Sequence, residues 1–514
     1  MRYITVVLVF GLLAAFAPAK PTPTRTIART ALDDKIRGGW AGKMIGVSYG
    51  APTEFQSNGR IFEGEIAWSP ERVSNALRQD DLYVGMTLAE TMDRLGFDAT
   101  VEQYGEAFKD SKYQLWHANA SARRLLNLGI KAPMSGHPKY NIHANDIDFQ
   151  IEADFIGLMS PALPRESNKY SERVGRVMNH GDGLYGGIFV NGMYTAAFFE
   201  SDVRKVVEQG LACLPPKSAY ARLIRDLLGW AEENPDDWKK TWQLIQDTWD
   251  RNDSCPEGAL RPFNIDARIN GAYVALGLLY GRGDFARTLE ISTRAGQDSD
   301  CNPSTAGGIL GVMLGYSRIS DQWKGGIPAI ADEKFDFTHS SFNDISRSTL
   351  ERALQLVRRA GGQVTDTEVV IPLQAPEAAP FEQWDMGIPE RRVGIDDPAW
   401  RFKGFTRVAG SNGPARMRAS GAGAEAVLTF TGAAVALVGD LTQEGGRADV
   451  LLDGSPLHAA DAFIVERTHD DALWHTYGLA QGPHTLRIVT RDDADPRSKG
   501  KALVIREAVV YREK

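Results

Sequence analysis

The sequence predicts an all-α helical bundle followed by a smaller all-β sandwich. Three observations carry this reading. From about 33 to 361 apolar residues recur at helical spacing. Beyond 396 the chain breaks into short alternating runs punctuated by glycine and aspartate. Between them, "EVVIPLQAPEAAPFEQWDMGIPERR" offers one short strand and then a proline-bearing connection. With 514 residues the chain exceeds the usual size of one core, so two domains are expected. The boundaries read as a helical domain over 30–372, a linker over 373–395 and a sandwich over 396–514.

The amino end differs from the rest. "MRYITVVLVFGLLAAFAPAK" sets cationic Arg2 before an apolar run from Ile4 to Ala17, with small residues at Ala17 and Ala19. This is the layout of a signal peptide over 1–19, and it places the mature chain outside the cell or in the periplasm. The run is short for the roughly 20 residues a membrane span needs. No later segment is long and apolar enough, so no stable membrane insertion is expected after cleavage.

Helical signals follow in order. "SDVRKVVEQGLACL" places Val203, Val206, Val207 and Leu211 on one face, with Ser201 as N-cap. Stripes continue through 218–233, 268–281 and 284–295. "NDISRSTLERALQLVRRAGG" adds Ile345, Leu350, Leu354 and Val357, closed by Gly361. In the second half, "AVLTFTG", "AVALVGD", "HTLRIVT" and "ALVIREAVVY" read as strands, and "LLDGSPL" as strand, Asp-Gly turn, strand.

Composition narrows the function. The formal net charge of −8 argues against a nucleic-acid partner, which would want a basic face, and suits a protein that holds cations. Three cysteines are too few for a disulfide framework; a Cys213–Cys255 bridge is compatible with an oxidising compartment, but spacing does not establish it.

Four acidic features stand out in the helical half. "IRGGWAGKMIGVSYGAPTEF" combines Gly38, Gly39, Gly42 and Gly46, spaced for close helix packing, with Glu54 just past a proline. "RQDDLYVGMTLAETM" sets Asp80 and Asp81 at a helix start, where acids complement the helix dipole. "NDIDFQIEADFIGLM" threads Asp146, Asp148, Glu152 and Asp154 through apolar surroundings, where an unpaired charge is expensive. "QDSDCNP" places Asp298 and Asp300 before a helix that Asn302 would cap with Pro303 at its first position. If the Asp-Asp pair and the Asp-x-Asp pair converge, they offer the oxygens Mg²⁺ or Mn²⁺ prefers. Three cysteines and nine scattered histidines make a soft zinc site less attractive.

Three motifs, "GGWAGKMIGVSYGAPTEF", "QDDLYVGMTLAETM" and "AGQDSDCNPSTAGGILGVMLG", make the sequence resemble the ADP-ribosylglycohydrolase superfamily over roughly 33–320. They match its glycine-rich first helix ending in Glu, its Thr-Asp-Asp-Thr element and its Gly-x-Asp-Thr-Asp-Thr element. The resemblance implies an all-α catalytic domain over 30–372 with a two-Mg²⁺ centre. That centre would hydrolyse a bond at the anomeric carbon of a ribosyl or related unit. By that resemblance Asp80 and Asp81 hold one metal, Asp298 the other, and Asp300 bridges both, while Glu54 is the acid–base residue.

The sequence also departs from the family pattern. Gln79, Leu82, Ser299 and Cys301 stand where the family has threonine. Leu82 cannot ligate a hard ion, and Cys301 is a poor match where oxygen is preferred. The central region differs too, and Asp148, His180, Gly181 and Asp182 are its candidate substrate contacts. The β-rich tail resembles galactose-binding-like modules, with a stabilising cap as its other role. The sequence thus predicts a secreted or periplasmic metal-dependent glycosidase acting on a glycan, glycoside or ADP-ribosyl conjugate. The alternative is a non-catalytic carbohydrate-binding surface protein on the same fold.

Overall fold

The computed structural model describes residues 23–250, 255–382, 384–410, 413–465 and 471–514. The expected signal segment 1–19 lies outside them. The helical half and the β half appear as expected from the periodicity. Among the described residues, no helix is long and apolar enough to cross a membrane.

The helix Arg29–Gly50 and the helix Cys301–Leu314 form the centre of the bundle. They run antiparallel with their backbones nearly touching. A Cβ built on Gly38, Gly42, Gly46 or Gly50 would stand 2.3, 2.0, 2.1 and 2.2 Å from the carbonyl oxygens of Gly311, Gly307, Pro303 and Ser299. Four positions spaced by four residues lie on one helix face, so the glycine spacing read as a packing signal has this role. It also fixes where the Asp298–Asp300 loop sits, at the end of the first helix. Gly42→Ala is therefore expected to push the helices apart. Overpacking of this kind costs ~1–3 kcal/mol, to be read as a lowered midpoint in thermal unfolding.

Other boundaries shift for physical reasons. The helix Val203–Ala212 is capped by Asp202, which accepts from the Arg204 amide, and not by Ser201. The helix Phe342–Arg359 carries a capping box between Ser341 and Asp344. It ends in Gly361 at φ 87°, whose left-handed backbone glycine tolerates. The Thr24–Ala28 strand pairs with Glu368–Pro372, which in turn pairs with Gln363–Val364, so a small sheet ties the start of the helical half to its end.

The β half consists of two six-stranded sheets whose inner faces share one apolar core, including Trp400, Leu428, Val450, Ile488 and Ile505. Asp453 and Gly454, both at positive φ, join Gly446–Leu452 to Ser455–Pro456, as the Asp-Gly signal predicts. The strand Ile388–Gly394 pairs along Leu503–Arg512. It belongs to the sandwich, and the linker expected over 373–395 is shorter by that strand. Its proline does not prevent pairing, because among the described residues this strand has only one partner and proline is tolerated at such an edge.

Sandwich and bundle are joined by polar and apolar contacts. Arg124 of the helix His117–Asn127 donates to the Phe463 carbonyl at 2.9 Å and to that of Asp461. Arg392 donates to the carbonyls of Ala259 and Pro256. Ile142 and Ala259 share a buried cluster with Ala436, Val438 and Val509. Cys213 and Cys255 are not disulfide-bonded: Cys213 lies against Gly192, and Cys255 against His143.

Candidate metal centre

The Glu54 loop and the Asp298–Asp300 loop are built as one unit. Gly50 lets the first helix end against Ser299, and the short 3₁₀ turn Ala51–Thr53 leads directly into Glu54. Thr53 Oγ1 and Ser299 Oγ are 2.8 Å apart, so Ser299 serves to join the loops. Gly296, at φ 81°, turns the chain where a Cβ would strike the Ser57 carbonyl at 2.2 Å. Asn270 Oδ1 accepts from the Asp298 amide at 3.1 Å and from Asn302 Nδ2 at 2.9 Å.

The helix start differs from the expectation. It begins at Cys301, with Asp300 rather than Asn302 in the N-cap position. Asn302 turns its side chain to Asn270 because the loop needs that amide to hold Asp298. Among the described residues, Asp300 makes no side-chain capping bond and its buried Oδ1 has no hydrogen-bond partner. A capping aspartate normally uses that oxygen on the helix amides; here it is held in reserve.

Asp80 and Asp81 open the helix Asp80–Leu95. Asp80 Oδ1 accepts from the Asp81 amide at 3.0 Å. Asp81 is fully buried, and its Oδ2 faces Lys43 Nζ at 3.5 Å while its Oδ1 has no hydrogen-bond partner among the described residues. Lys43 also bonds Asp154 Oδ2 at 2.9 Å and the Ile151 carbonyl at 2.8 Å. Tyr194 donates to the other Asp154 oxygen at 2.7 Å. This lysine in a glycine-rich apolar helix is the signal sequence reasoning missed. Lys43→Met would leave the buried Asp81 and Asp154 without their cation. Breaking a buried pair costs ~3–5 kcal/mol, so a large fall in denaturant midpoint is expected.

The charges show that the motifs converge. Burial, then Asp300, Asp80 and Asp81, push the Glu54 carboxyl up to about 8. Burial, then Asp81 and Asp300, raise Asp80 to about 7. Asp81 is raised to about 6 by burial, with Lys43 drawing it back down. Burial and the charge of Asp300 lift Asp298 well above the carboxylate range. Glu54 is partly exposed, while Asp298 and Asp300 are buried, so Glu54 stands at the mouth of the cluster. Five carboxyls in mutual repulsion, two with unpartnered buried oxygens, suit a hard divalent cation.

Of the other candidates, Asp148 accepts from the amides of Ala118 and Asn119 at 3.2 and 3.0 Å. It caps the helix His117–Asn127 while its charge reaches Asp80 and Glu152. Glu152, whose Oε2 is buried without a partner, lies beside Asp80 and Asp148, held by Asn119. Gly85 brings the Asp80 helix against the Glu152 backbone, where its Cβ would stand 2.8 Å from the carbonyl. His180, Gly181 and Asp182 lie under the connecting segment. The Gly181 amide donates to Glu382 at 3.2 Å, the Asp182 amide donates to Asn145, and Trp384 donates to the same Asn145 oxygen.

The family described as ADP-ribosylglycohydrolase matches residues 28–362. An A type blood alpha-D-galactosamine galactosaminidase from Flavonifractor plautii is 40% identical over 73 residues, which is 14% of this chain and 7% of that protein. The chain thus spans a small part of that curated relative. A solved ADP-ribosylglycohydrolase-related protein complex aligns at 15% identity over 63% of this chain and 98% of its own, with a TM-score of 0.41. A carbohydrate-binding module in complex with calcium and xylotriose aligns at 8% identity over 23% of this chain and 98% of its own, with a TM-score of 0.17.

Proposed function

Because the chain belongs to the ADP-ribosylglycohydrolase family, we propose that it is a secreted or periplasmic, metal-dependent glycosidase cleaving at the anomeric carbon of a ribosyl or related sugar unit. The family and the galactosaminidase relative support a glycosidase-like hydrolase. One observation carries the finer reading: Glu54 and four aspartates from three distant motifs act on one another's charge, with Asp81 Oδ1 and Asp300 Oδ1 unpartnered among the described residues.

Asp80, Asp81, Asp298 and Asp300 would hold the metal, two Mg²⁺ ions or Mn²⁺ in their place. Such ions supply Lewis-acid polarisation and a template for sugar hydroxyls. Glu54 stands at the mouth, and burial among like charges keeps its proton on near neutrality. It would hand that proton to the departing glycosidic oxygen. Lys43 keeps Asp81 ionised and fixed. Leu82 is buried in the core, where it takes no part in ligation.

A glycan or glycoside substrate is preferred over an ADP-ribosyl conjugate, supported by the export signal read over 1–19 and by the glycosidase named among the relatives. The test is a panel of aryl glycosides and ADP-ribosylated peptides, assayed with Mg²⁺ and with EDTA. Sugar release that needs Mg²⁺ is expected from a glycoside. Mg²⁺-independent turnover, or none on either class, would overturn the reading. Recovery of the mature protein outside the cytoplasm, with a new amino terminus near residue 20, checks the export.

A further inference from the structure

A second cluster lies where bundle and sandwich meet. His117, His143, Asp146 and Cys255 each bring one donor atom, and the four atoms lie within 4.8 Å of one another. They come from the start of one helix, from the loop before Asp148, and from the loop before the helix Ala267–Gly281. His143 Nδ1 is 2.7 Å from Asp146 Oδ2 and 3.6 Å from Cys255 Sγ. We propose that these four residues form a separate site for a divalent transition ion of the zinc class.

The donor set is the first argument. Two imidazoles and a thiol are borderline-to-soft ligands that, with one carboxylate, suit Zn²⁺ or Co²⁺ and make a poor set for Mg²⁺. Distance is the second. A tetrahedral ion with metal–sulfur ~2.3 Å and metal–nitrogen ~2.0–2.1 Å separates those donors by roughly 3.6 Å, as His143 and Cys255 are here; His143 and Asp146, hydrogen-bonded at 2.7 Å in the metal-free chain, would part as the ion replaces their shared proton. The third is the outer shell. Asp471, from the sandwich strand Asp471–Thr476, faces the other ring nitrogen of His143 at 3.7 Å. Zinc-bound histidines donate their other ring N–H to a carboxylate, and Asp471 stands on that side, just beyond hydrogen-bond distance.

An ion-pair network alone accounts for only part of the cluster. A protonated His143 among Asp146, Glu257 and Asp471 is balanced by charge. His117 is not explained so. Among the described residues its ring meets only other rings, His143 at 5.8 Å and Phe263 at 5.4 Å between centroids, and no hydrogen bond. It is held at φ 45°, a conformation that strains a non-glycine residue and that persists where the surroundings impose it.

Cobalt titration of the full chain tests the site. Metal-stripped protein is given Mg²⁺ in excess, to fill the carboxylate centre, and then Co²⁺. One equivalent should bind with a thiolate-to-cobalt charge-transfer band and the strong visible bands of a four-coordinate ion, and Zn²⁺ should displace it. Cys255→Ser should lose the charge-transfer band, while Cys301→Ser, beside Asp298 and Asp300, should keep it. His117→Gln should weaken Co²⁺ binding by more than the ~10–100-fold that losing an outer-shell partner costs. Circular dichroism confirms that each variant is folded. A missing band in the parent, a band that survives Cys255→Ser or disappears in Cys301→Ser, or unchanged affinity in His117→Gln would overturn the assignment.

Discussion

Replacing Asp300 with alanine is expected to abolish turnover and to remove the Mg²⁺-induced rise in melting temperature, without lowering the melting temperature of the metal-free protein. Asp300 occupies an N-cap position yet makes no side-chain capping bond, so its loss should not unravel the helix it precedes. Its charge is a leading cause of the raised carboxyls of Glu54 and Asp298. Removing it relieves repulsion in the metal-free chain while deleting an oxygen the cation needs. In the parent, Mg²⁺ at about a hundred times its Kd should add ~2.7 kcal/mol. Differential scanning calorimetry with and without Mg²⁺ reads both effects. Unchanged turnover in Asp300→Ala, or in metal-stripped protein, would sink the metal assignment.

The same centre dictates a pH dependence. Asp81, Asp80 and Glu54 are held at about 6, 7 and 8, above their ordinary values of 3.8 and 4.5. A carboxyl raised on folding binds more protons in the folded chain, so stability falls as pH climbs through the gap. Their contribution is fully present below about pH 4 and is lost progressively up to about pH 8. Mg²⁺ favours the ionised carboxylates, so the gain in melting temperature from Mg²⁺ should grow across that window.

The large features of this structure were legible in the sequence because they depend on local periodicity. Stripes such as Val203, Val206 and Val207 give the helices, and the Asp453–Gly454 turn gives its hairpin. The acidic motifs were legible through resemblance, and the glycine spacing through the geometry of close helix packing. What escaped depends on pairing across the chain. Lys43 looks like one more residue in a glycine-rich helix until Asp81 and Asp154 are seen on either side of it. Nothing local in the sequence shows that Glu382 and Trp384 of the connecting segment lie over His180, Gly181 and Asp182. Nine scattered histidines argued against a soft metal site, and only folding brings His117 and His143 to Cys255.

Glu54→Gln separates proton transfer from metal binding. The substitution keeps the size of the side chain and much of its hydrogen bonding but removes titration. Burial and three neighbouring aspartates hold the glutamate proton on up to about pH 8 in the metal-free chain. Bound cations would lower that value toward neutrality, where a general acid works best. The loop supports such a role: Thr53, bonded to Ser299, fixes the residue before Glu54, and partial exposure leaves the carboxyl open to a ligand. General acid–base assistance is worth ~10²–10⁴-fold, so kcat should fall by about that factor while KM and Mg²⁺ affinity change little. The basic limb of the pH–rate profile should disappear in the variant, since its titrating group is gone. Substrates with a good leaving group, which need little protonation, should suffer much less than those with a sugar leaving group. A variant that loses Mg²⁺ affinity but keeps single-turnover chemistry at saturating metal would make Glu54 a metal-holding residue. The proton would then have to come from the next acids inward, Asp148 or Glu152, both of which burial raises above the carboxylate range.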